Sequence, residues 1–424
     1  MGKTISEKIL SKAAGRSLQS GDVVWAKVST VSMIDKPGFA FLERHNLKVW
    51  DPQRILFSFD HFMYPHEGTG VIGLPKIRSW AKKQGIPAEN VFDIGRHGIS
   101  HQVPAEAGKV LPGTVYVGGD TQASTMGAFN CFALACVNTA EYVMASGDVW
   151  VRVPESIRIH LNGTLPKGVL GKDIYLRLLK DLEGECEGRA IEFSGPGIAS
   201  LPIDVRMAVA NGGTHLGAAT LVFPADQRLL DYLHGRAAES FETVAPDDDA
   251  HYLQTYTYDL SSFEPIVAGP DDPSLIAPLS AFKGVPIQAG YIGSCSSGRL
   301  ADLTLAAEVL KGKHIHPSVR LVVTPISSLV AQDAAEQGLL AIFAKAGATI
   351  TTPGCGACFY GNQSPLLLDE GETCITSSVE NWPGRMGSDK AHIYLGNAAA
   401  VAASALEGCI ADPRDYFADA TRKG

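Results

Sequence analysis

The sequence predicts an α/β protein of more than one domain, on three observations. Its 424 residues exceed the length at which a single hydrophobic core stops growing. Short β-branched segments alternate with small-residue and helical runs, as in "HLGAATLVFP" from His215 to Pro224. Glycine and proline, 44 and 24 in number, fall between those runs, where turns are required. A composition 45% hydrophobic and 19% charged is that of a chain that folds, which sets aside disordered and fibrous classes.

Taken in order, the segment Pro202 to Leu233 reads as a helix, a turn and a second helix with an acidic start at Asp226. Asp247 to Asp249 and "AGPDDPS" (Ala268 to Ser274) are polar and broken by Pro and Gly, and mark a boundary between residues 1–270 and 271–424. Past it, a strand is expected near Pro286 to Ile292 and a helix near Ala301 to Lys311. A strand near Arg320 to Thr324 and a helix near Ser328 to Ala346 follow. There is no internal repeat and no low-complexity tract.

The formal net charge of -9 argues against nucleic acid as a partner, because phosphate binding depends on clustered Lys and Arg. No apolar run is long enough to span a membrane, and Met1 to Lys12 lacks a signal-peptide core, so a cytoplasmic location is expected. Eight cysteines are too sparse for a disulfide scaffold and read as thiols or ligands.

Three of them stand out. "GSCSSGR" places Cys295 between a strand and a helix, where amides and the positive helix end favour a thiolate. "PGCGACFYG" carries Cys355 and Cys358 in a glycine-flanked C-x-x-C loop that can wrap an ion or cluster. The C-x-x-C by itself equally fits a buried thiol or a redox pair. Structural zinc would need a fourth protein ligand, and no second C-x-x-C or nearby His supplies one. Three cysteines fit an incomplete cubane, whose open iron is a Lewis acid. Cys131, Cys136, Cys186, Cys374 and Cys409 read as core or surface thiols.

In order and spacing, "GKTISEKILSKAAGR", "FDHF", "GISHQVPAEAGKVLPGTVYVGGD", "GSCSSGR", "PGCGACFYG" and "NWPGR" resemble the large subunits of aconitase and isopropylmalate isomerase enzymes, from Met1 to about Pro413. The resemblance implies an aconitase-like α/β fold, with three α/β domains around a 4Fe-4S cluster on Cys295, Cys355 and Cys358. A swivelling fourth domain is expected to be absent from this chain and carried by a separate small subunit. The implied activity is a hydro-lyase acting on a small 2-hydroxy carboxylic acid. An ordinary isopropylmalate isomerase large subunit and an RNA-binding regulator formed on cluster loss are the alternatives.

Dehydration of such an acid requires loss of an unacidic proton and departure of hydroxide, both eased by a metal and positioned acids. The resemblance implies that Asp60 and His61 of "FDHF" together protonate the leaving hydroxyl, that His101 of "GISHQ" is an active-site histidine, and that Asp120 of "GGDTQAST" fills the acidic place beside Thr121. Read as ordinary residues, Asp60 and His61 are a turn pair, and His97 a surface histidine. Four departures accompany the matches. Gln122 stands where the family has histidine, and cannot carry a proton at neutral pH. His215 stands where the family has a glutamate, so the carboxylate partner expected for His101 is replaced by an imidazole. Arg385 keeps one of two carboxylate-reading arginines, whereas Glu380 reverses the charge of the other. Ile34, in "SMIDKPG", replaces a polar substrate contact. These changes imply a substrate with one carboxylate fewer, or one bearing a cation.

Overall fold

Runs of buried β-branched residues without polar alternation form the central strands of parallel sheets, and this chain contains several. The computed structural model describes residues 2–36, 38–62, 73–360 and 364–417. The chain folds into two units: residues 1–94, 100–164 and 182–260 form the first, and residues 95–99, 165–181 and 261–424 the second. The main division thus falls at 260/261, against an expected 270/271. The two earlier segments join the second unit because their side chains pack there: Tyr175 and Leu176 share a buried cluster with Ile266, Ile276 and Leu395.

In the first unit, β1 (Val23–Lys27) precedes β2 (Thr30–Ile34), β3 (Ile55–Ser58), β4 (Val91–Phe92), β5 (Val115–Gly118) and β6 (Phe132–Ala135). The last five make a wholly parallel sheet in the order β4-β3-β2-β5-β6. β7 (Asp148–Arg152) returns antiparallel to β1. β8 (Ser156–Asn162), β9 (Ala190–Ser194), β10 (Thr220–Val222) and β11 (Gln254–Asp259) form a second parallel sheet, ordered β10-β9-β8-β11.

Pairing of β10 with β9 changes the reading of Pro202 to Leu233. The helix Ile203–Asn211 and the helix Gln227–Leu233 are separated by a strand as well as a turn, because Thr220, Leu221 and Val222 add to the sheet edge. Asp226 caps the second helix, its side chain accepting the Leu229 N–H at 3.1 Å.

The second unit holds β12 (Ile266–Ala268), β13 (Ile276–Pro278), β14 (Ala289–Ile292), β15 (Arg320–Val323), β16 (Thr349–Ile350), β17 (Thr373–Thr376) and β18 (His392–Leu395), in one sheet of order β13-β12-β18-β17-β14-β15-β16. The five strands from β18 to β16 are parallel. Against them packs the alanine-rich helix Ala398–Glu407, capped by Asn397, whose small side chains admit close approach in the core. The helix expected over Ser328 to Ala346 is two, Ser328–Glu336 and Leu339–Ala346. Gly338 breaks it with φ +74°, a conformation that costs glycine no Cβ clash. Three large parallel or mostly parallel sheets give the α/β class. Among the described residues no helix is long and apolar enough to cross a membrane.

Candidate active site

In open parallel sheets, loops leaving the carboxyl ends of the strands gather the ligand-binding residues. The first unit follows this rule. Asp35 comes directly after β2, Asp60 and His61 after β3, His101 in the loop after β4, and Asp120 after β5.

Asp60 and His61 are buried, and His61 Nδ1 lies 2.7 Å from Asp60 Oδ1. Asp60 Oδ2 accepts the Ser100 N–H at 2.8 Å, which fixes the carboxylate from its other side. On the far side of the ring, His61 Nε2 is 3.8 Å from Asp120 Oδ2, and the same oxygen lies 3.0 Å from His101 Nε2. Asp60, His61, Asp120 and His101 therefore form a string of alternating carboxylates and imidazoles, hydrogen-bonded in two pairs that a 3.8 Å ion-pair contact joins. Burial works to raise the Asp120 carboxyl, but the His101 hydrogen bond and the charges of His61 and His101 hold it well below the usual carboxylate range.

Asp35, unremarked in the sequence beside Ile34, organises this string from below. Its carboxylate accepts the backbone N–H groups of Asp60 at 3.1 Å, His61 at 3.0 Å and Phe62 at 2.6 Å. Burial and the charge of Asp60 push it up to about 7, against the pull of His61 and the amides. A carboxyl raised on folding binds its proton more tightly in the native state. Its contribution to stability is full below the ordinary pKa of 3.8 and is lost as pH rises through about 7. Between those limits the wild type is expected to lose stability from this group as pH rises. Asp35→Asn should flatten that slope in urea melts taken across the range; an unchanged slope would assign it to other groups.

Thr121 and Gln122 continue from Asp120. The Thr121 N–H donates to Asp120 Oδ1 at 2.9 Å and its hydroxyl to Gln122 Oε1 at 2.8 Å; Thr121 is exposed and Gln122 buried. The half-buried His215 lies in the turn after Ile203–Asn211, and the neighbouring Thr214 hydroxyl donates to the Thr121 carbonyl at 2.6 Å. Gln122 and His215, two of the departures from the family pattern, thus lie on segments joined by a direct hydrogen bond. Ile34 ends β2, half-buried and in register with Ser58 of β3.

In the second unit, Cys295 follows β14, and Cys355 and Cys358 follow β16. All three are buried, at 6%, 7% and 4% exposure, so each sulfur is shielded from bulk water. The Tyr291 hydroxyl donates to the Cys355 carbonyl at 2.9 Å, and Arg299 Nη1 to the Cys295 carbonyl at 2.9 Å. Gly356, at φ +55°, lets the C-x-x-C loop close on Tyr291: a Cβ there would sit 2.3 Å from the Tyr291 hydroxyl oxygen. The donor set is all sulfur, the soft type that iron–sulfur clusters select, and the guanidiniums of Arg299 and Arg385 lie against Cys295 and Cys358. These residues fit such a cluster.

Arg385 Nη2 stands 3.8 Å from Cys358 Sγ, with its guanidinium over the rings of Tyr360 at 5.0 Å and Phe359 at 5.6 Å. Burial opposes its charge, but the charge and hydrogen bond of Cys358 and the charge of Glu380 raise the group above its ordinary value. Glu380 is half-buried, and the Ser378 hydroxyl donates to its carbonyl at 3.0 Å.

His97, read from sequence as a surface histidine, is buried. Its Nδ1 accepts the Gly95 N–H at 3.2 Å and lies 3.1 Å from the Ser328 hydroxyl, and Nε2 is 3.2 Å from the hydroxyl of Thr352, three residues before Cys355. Lys172 was equally missed. It is fully buried in the first turn of the helix Gly171–Asp181, with Nζ 3.1 Å from the Ser296 hydroxyl and 2.6 Å from the Ser378 carbonyl. In sequence a "GKD" at a helix start reads as ordinary solvated charge, so only periodicity in the following Ile174, Tyr175 and Leu178 hinted at a buried face. Of the remaining thiols, Cys131, Cys186 and Cys374 are buried and Cys136 and Cys409 half-buried; all eight cysteines are free of disulfides.

The family model described as "Aconitase family (aconitate hydratase)" matches residues 74–286 and 280–408. Among curated relatives, the "3-isopropylmalate dehydratase large subunit 1" of Methanopyrus kandleri is 39% identical over 424 residues, covering 98% of this chain and all of that one. The "Probable methanogen homoaconitase large subunit" of Methanosarcina mazei is 40% identical over 378 residues, 88% of this chain and 94% of that one. The "3-isopropylmalate dehydratase large subunit" of Aquifex aeolicus is 37% identical across the full length of both. The holo-form of Thermococcus kodakaraensis aconitase X aligns over 84% of this chain and 83% of that one at 14% identity, with a TM-score of 0.48, a likeness too loose to bear on the site. The matched segments contain His101, Asp120 and His215 as well as Cys295, Cys355, Cys358 and Arg385. On that continuous match and those full-length relatives, the chain belongs to the aconitase family.

Proposed function

We propose that this chain is the large subunit of an iron–sulfur hydro-lyase that interconverts a small 2-hydroxy carboxylic acid and its dehydrated alkene, with a separate small subunit as partner. Family membership and relatives named as dehydratase and homoaconitase large subunits support the activity and the partner. The observation that carries the residue assignment is the string Asp60, His61, Asp120, His101 at the strand ends.

In this reading Cys295, Cys355 and Cys358 hold a 4Fe-4S cluster. When bound, it supplies a Lewis-acidic iron position for the substrate hydroxyl. Asp60, through its 2.7 Å contact with Nδ1, orients the His61 ring and stabilises its protonated form, leaving Nε2 to deliver a proton to the departing hydroxyl. Asp120 and His101 extend the path by which that proton is replaced. His215 takes the place of the family's carboxylate as a third imidazole, and Thr121 and Gln122 position substrate by hydrogen bonds. The net charge of -9 gives the RNA-binding alternative no support.

Arg385 is the carboxylate-binding fork, and Glu380 and Ile34 set the substrate class. Glu380 lies close enough to Arg385 for its charge to act on the guanidinium, so a second substrate carboxylate there would meet repulsion. The reading therefore favours a monocarboxylic or amino-bearing hydroxy acid over isopropylmalate. Glu380→Arg is expected to weaken the native substrate and improve a dicarboxylate, shifting discrimination by about 2 to 5 kcal/mol. Wild-type enzyme as efficient on isopropylmalate as its dehydratase relatives would remove the altered-substrate part alone. The function is tested by anaerobic reconstitution with iron, sulfide and the cognate small subunit, then assay of a hydroxy-acid panel by ultraviolet absorbance of the conjugated alkene. Failure of every hydroxy acid with a fully loaded cluster would sink it.

A further inference from the structure

Lys172 presents a physical problem whose solution is informative. Its side chain is fully buried, yet the two acceptors of its Nζ, the Ser296 hydroxyl and the Ser378 carbonyl, are both neutral. The third neighbour is the Tyr175 ring, 5.4 Å from Nζ to centroid. Among the described residues no carboxylate pairs with it. The adjacent Asp173 is turned to other work: its oxygens accept the Leu170 N–H at 2.7 Å, the Ile266 N–H at 3.0 Å and the Asn397 amide at 2.8 Å. A buried ammonium without a counter-charge costs several kcal/mol, and proteins rarely keep one without an anion nearby.

The position of Lys172 names the anion. Ser296 adjoins Cys295 in the chain, and Ser378 lies in the loop after β17, which pairs with β14, the strand leading to Cys295. Burial pushes the ammonium down to about 8, and the charges opposing that loss come first from Cys295 and Cys358, ahead of Asp173 and Asp302.

We propose that Lys172 is the built-in counter-charge of the iron–sulfur cluster, a residue that touches neither substrate nor iron but sets the cluster's reduction potential and its retention. The inference rests on the reading that Cys295, Cys355 and Cys358 are the ligands. A cluster held by thiolates is anionic overall, so an ammonium clamped to the Cys295 loop stabilises it, and stabilises its reduced, more negative state most. Without the cluster, the same ammonium is a burden on the fold.

The two states therefore respond to one substitution with opposite signs. In the full chain, Lys172→Met is expected to raise the thermal midpoint of the cluster-free protein, because it removes an unpaired buried charge. In the reconstituted protein it is expected to lower the cluster's midpoint potential by at least a tenfold change in the one-electron reduction equilibrium, about 59 mV, read by dye-mediated titration with electron paramagnetic resonance detection. Chelator-driven cluster loss should quicken in parallel. Lys172→Arg, which keeps the charge, should restore most of the potential. A Met variant that folds but takes no cluster, beside an Arg variant that does, equally supports the role of the charge. The inference is overturned by a Met variant with wild-type potential, by equal shifts in the Met and Arg variants, or by a cluster-free Met variant less stable than wild type. Wild-type chain that takes up no 4Fe-4S cluster would overturn the ligand reading along with it, whereas a loaded wild type with an unshifted Met variant overturns this inference alone.

Discussion

Replacing Cys358 with serine is expected to abolish turnover, by more than about 10³-fold, and to remove the visible absorbance of the reconstituted cluster. The magnitude follows from what an open iron contributes as a Lewis acid, several kcal/mol of transition-state stabilisation, at about 1.4 kcal/mol per tenfold in rate. Cys358 is the most telling of the three proposed ligands to replace because its sulfur also lies against Arg385 at 3.8 Å. A hydroxyl there would loosen both the cluster and the proposed carboxylate fork. Cys136→Ser is the matched control. Cys136 is half-buried in the first unit, where burial pushes its thiol up, and it should leave iron content, spectrum and rate unchanged. Iron and sulfide analysis beside activity decides the matter: a Cys358→Ser protein with four irons per chain and wild-type turnover would end the ligand assignment.

His61→Ala is expected to lower kcat by about two to four orders of magnitude, the range for loss of a positioned general acid, with iron content intact. The substitution leaves the backbone N–H groups that Asp35 accepts, so the loop after β3 keeps its anchor and the effect reports the ring. Asp120→Asn should produce a loss of similar size, because an amide still bonds to His101 but cannot take up or pass a proton. Residues acting as one unit lose little more when removed together than singly, so the double variant is expected to fall well short of the product of the two losses. Multiplicative losses would mean that His61 and Asp120 act separately, and an unchanged rate in His61→Ala would exclude it as the acid.

The sequence by itself determined the α/β class of this protein and put forward the candidates for its reactive side chains. Alternating strand and helix patterns are local properties, and so is the glycine-flanked C-x-x-C around Cys355 and Cys358; both are readable without long-range contacts. The series of motifs from "GKTISEKILSKAAGR" to "NWPGR" led to the aconitase family, which the family model and full-length relatives show. The tertiary structure decided what depends on pairing across long separations. That Thr220–Val222 is an edge strand depends on β9, thirty residues earlier. That residues 165–181 join the second unit depends on Ile266, Ile276 and Leu395, about a hundred or more residues later. The same reason hid Asp35, His97 and Lys172. A carboxylate holding three amides, an imidazole bracing the segment before Cys355, and an ammonium between Ser296 and Ser378 are ordinary polar letters in the chain. They become exceptional only when folding removes their water, because desolvation, which no local pattern encodes, is what gives a buried charge its energetic weight.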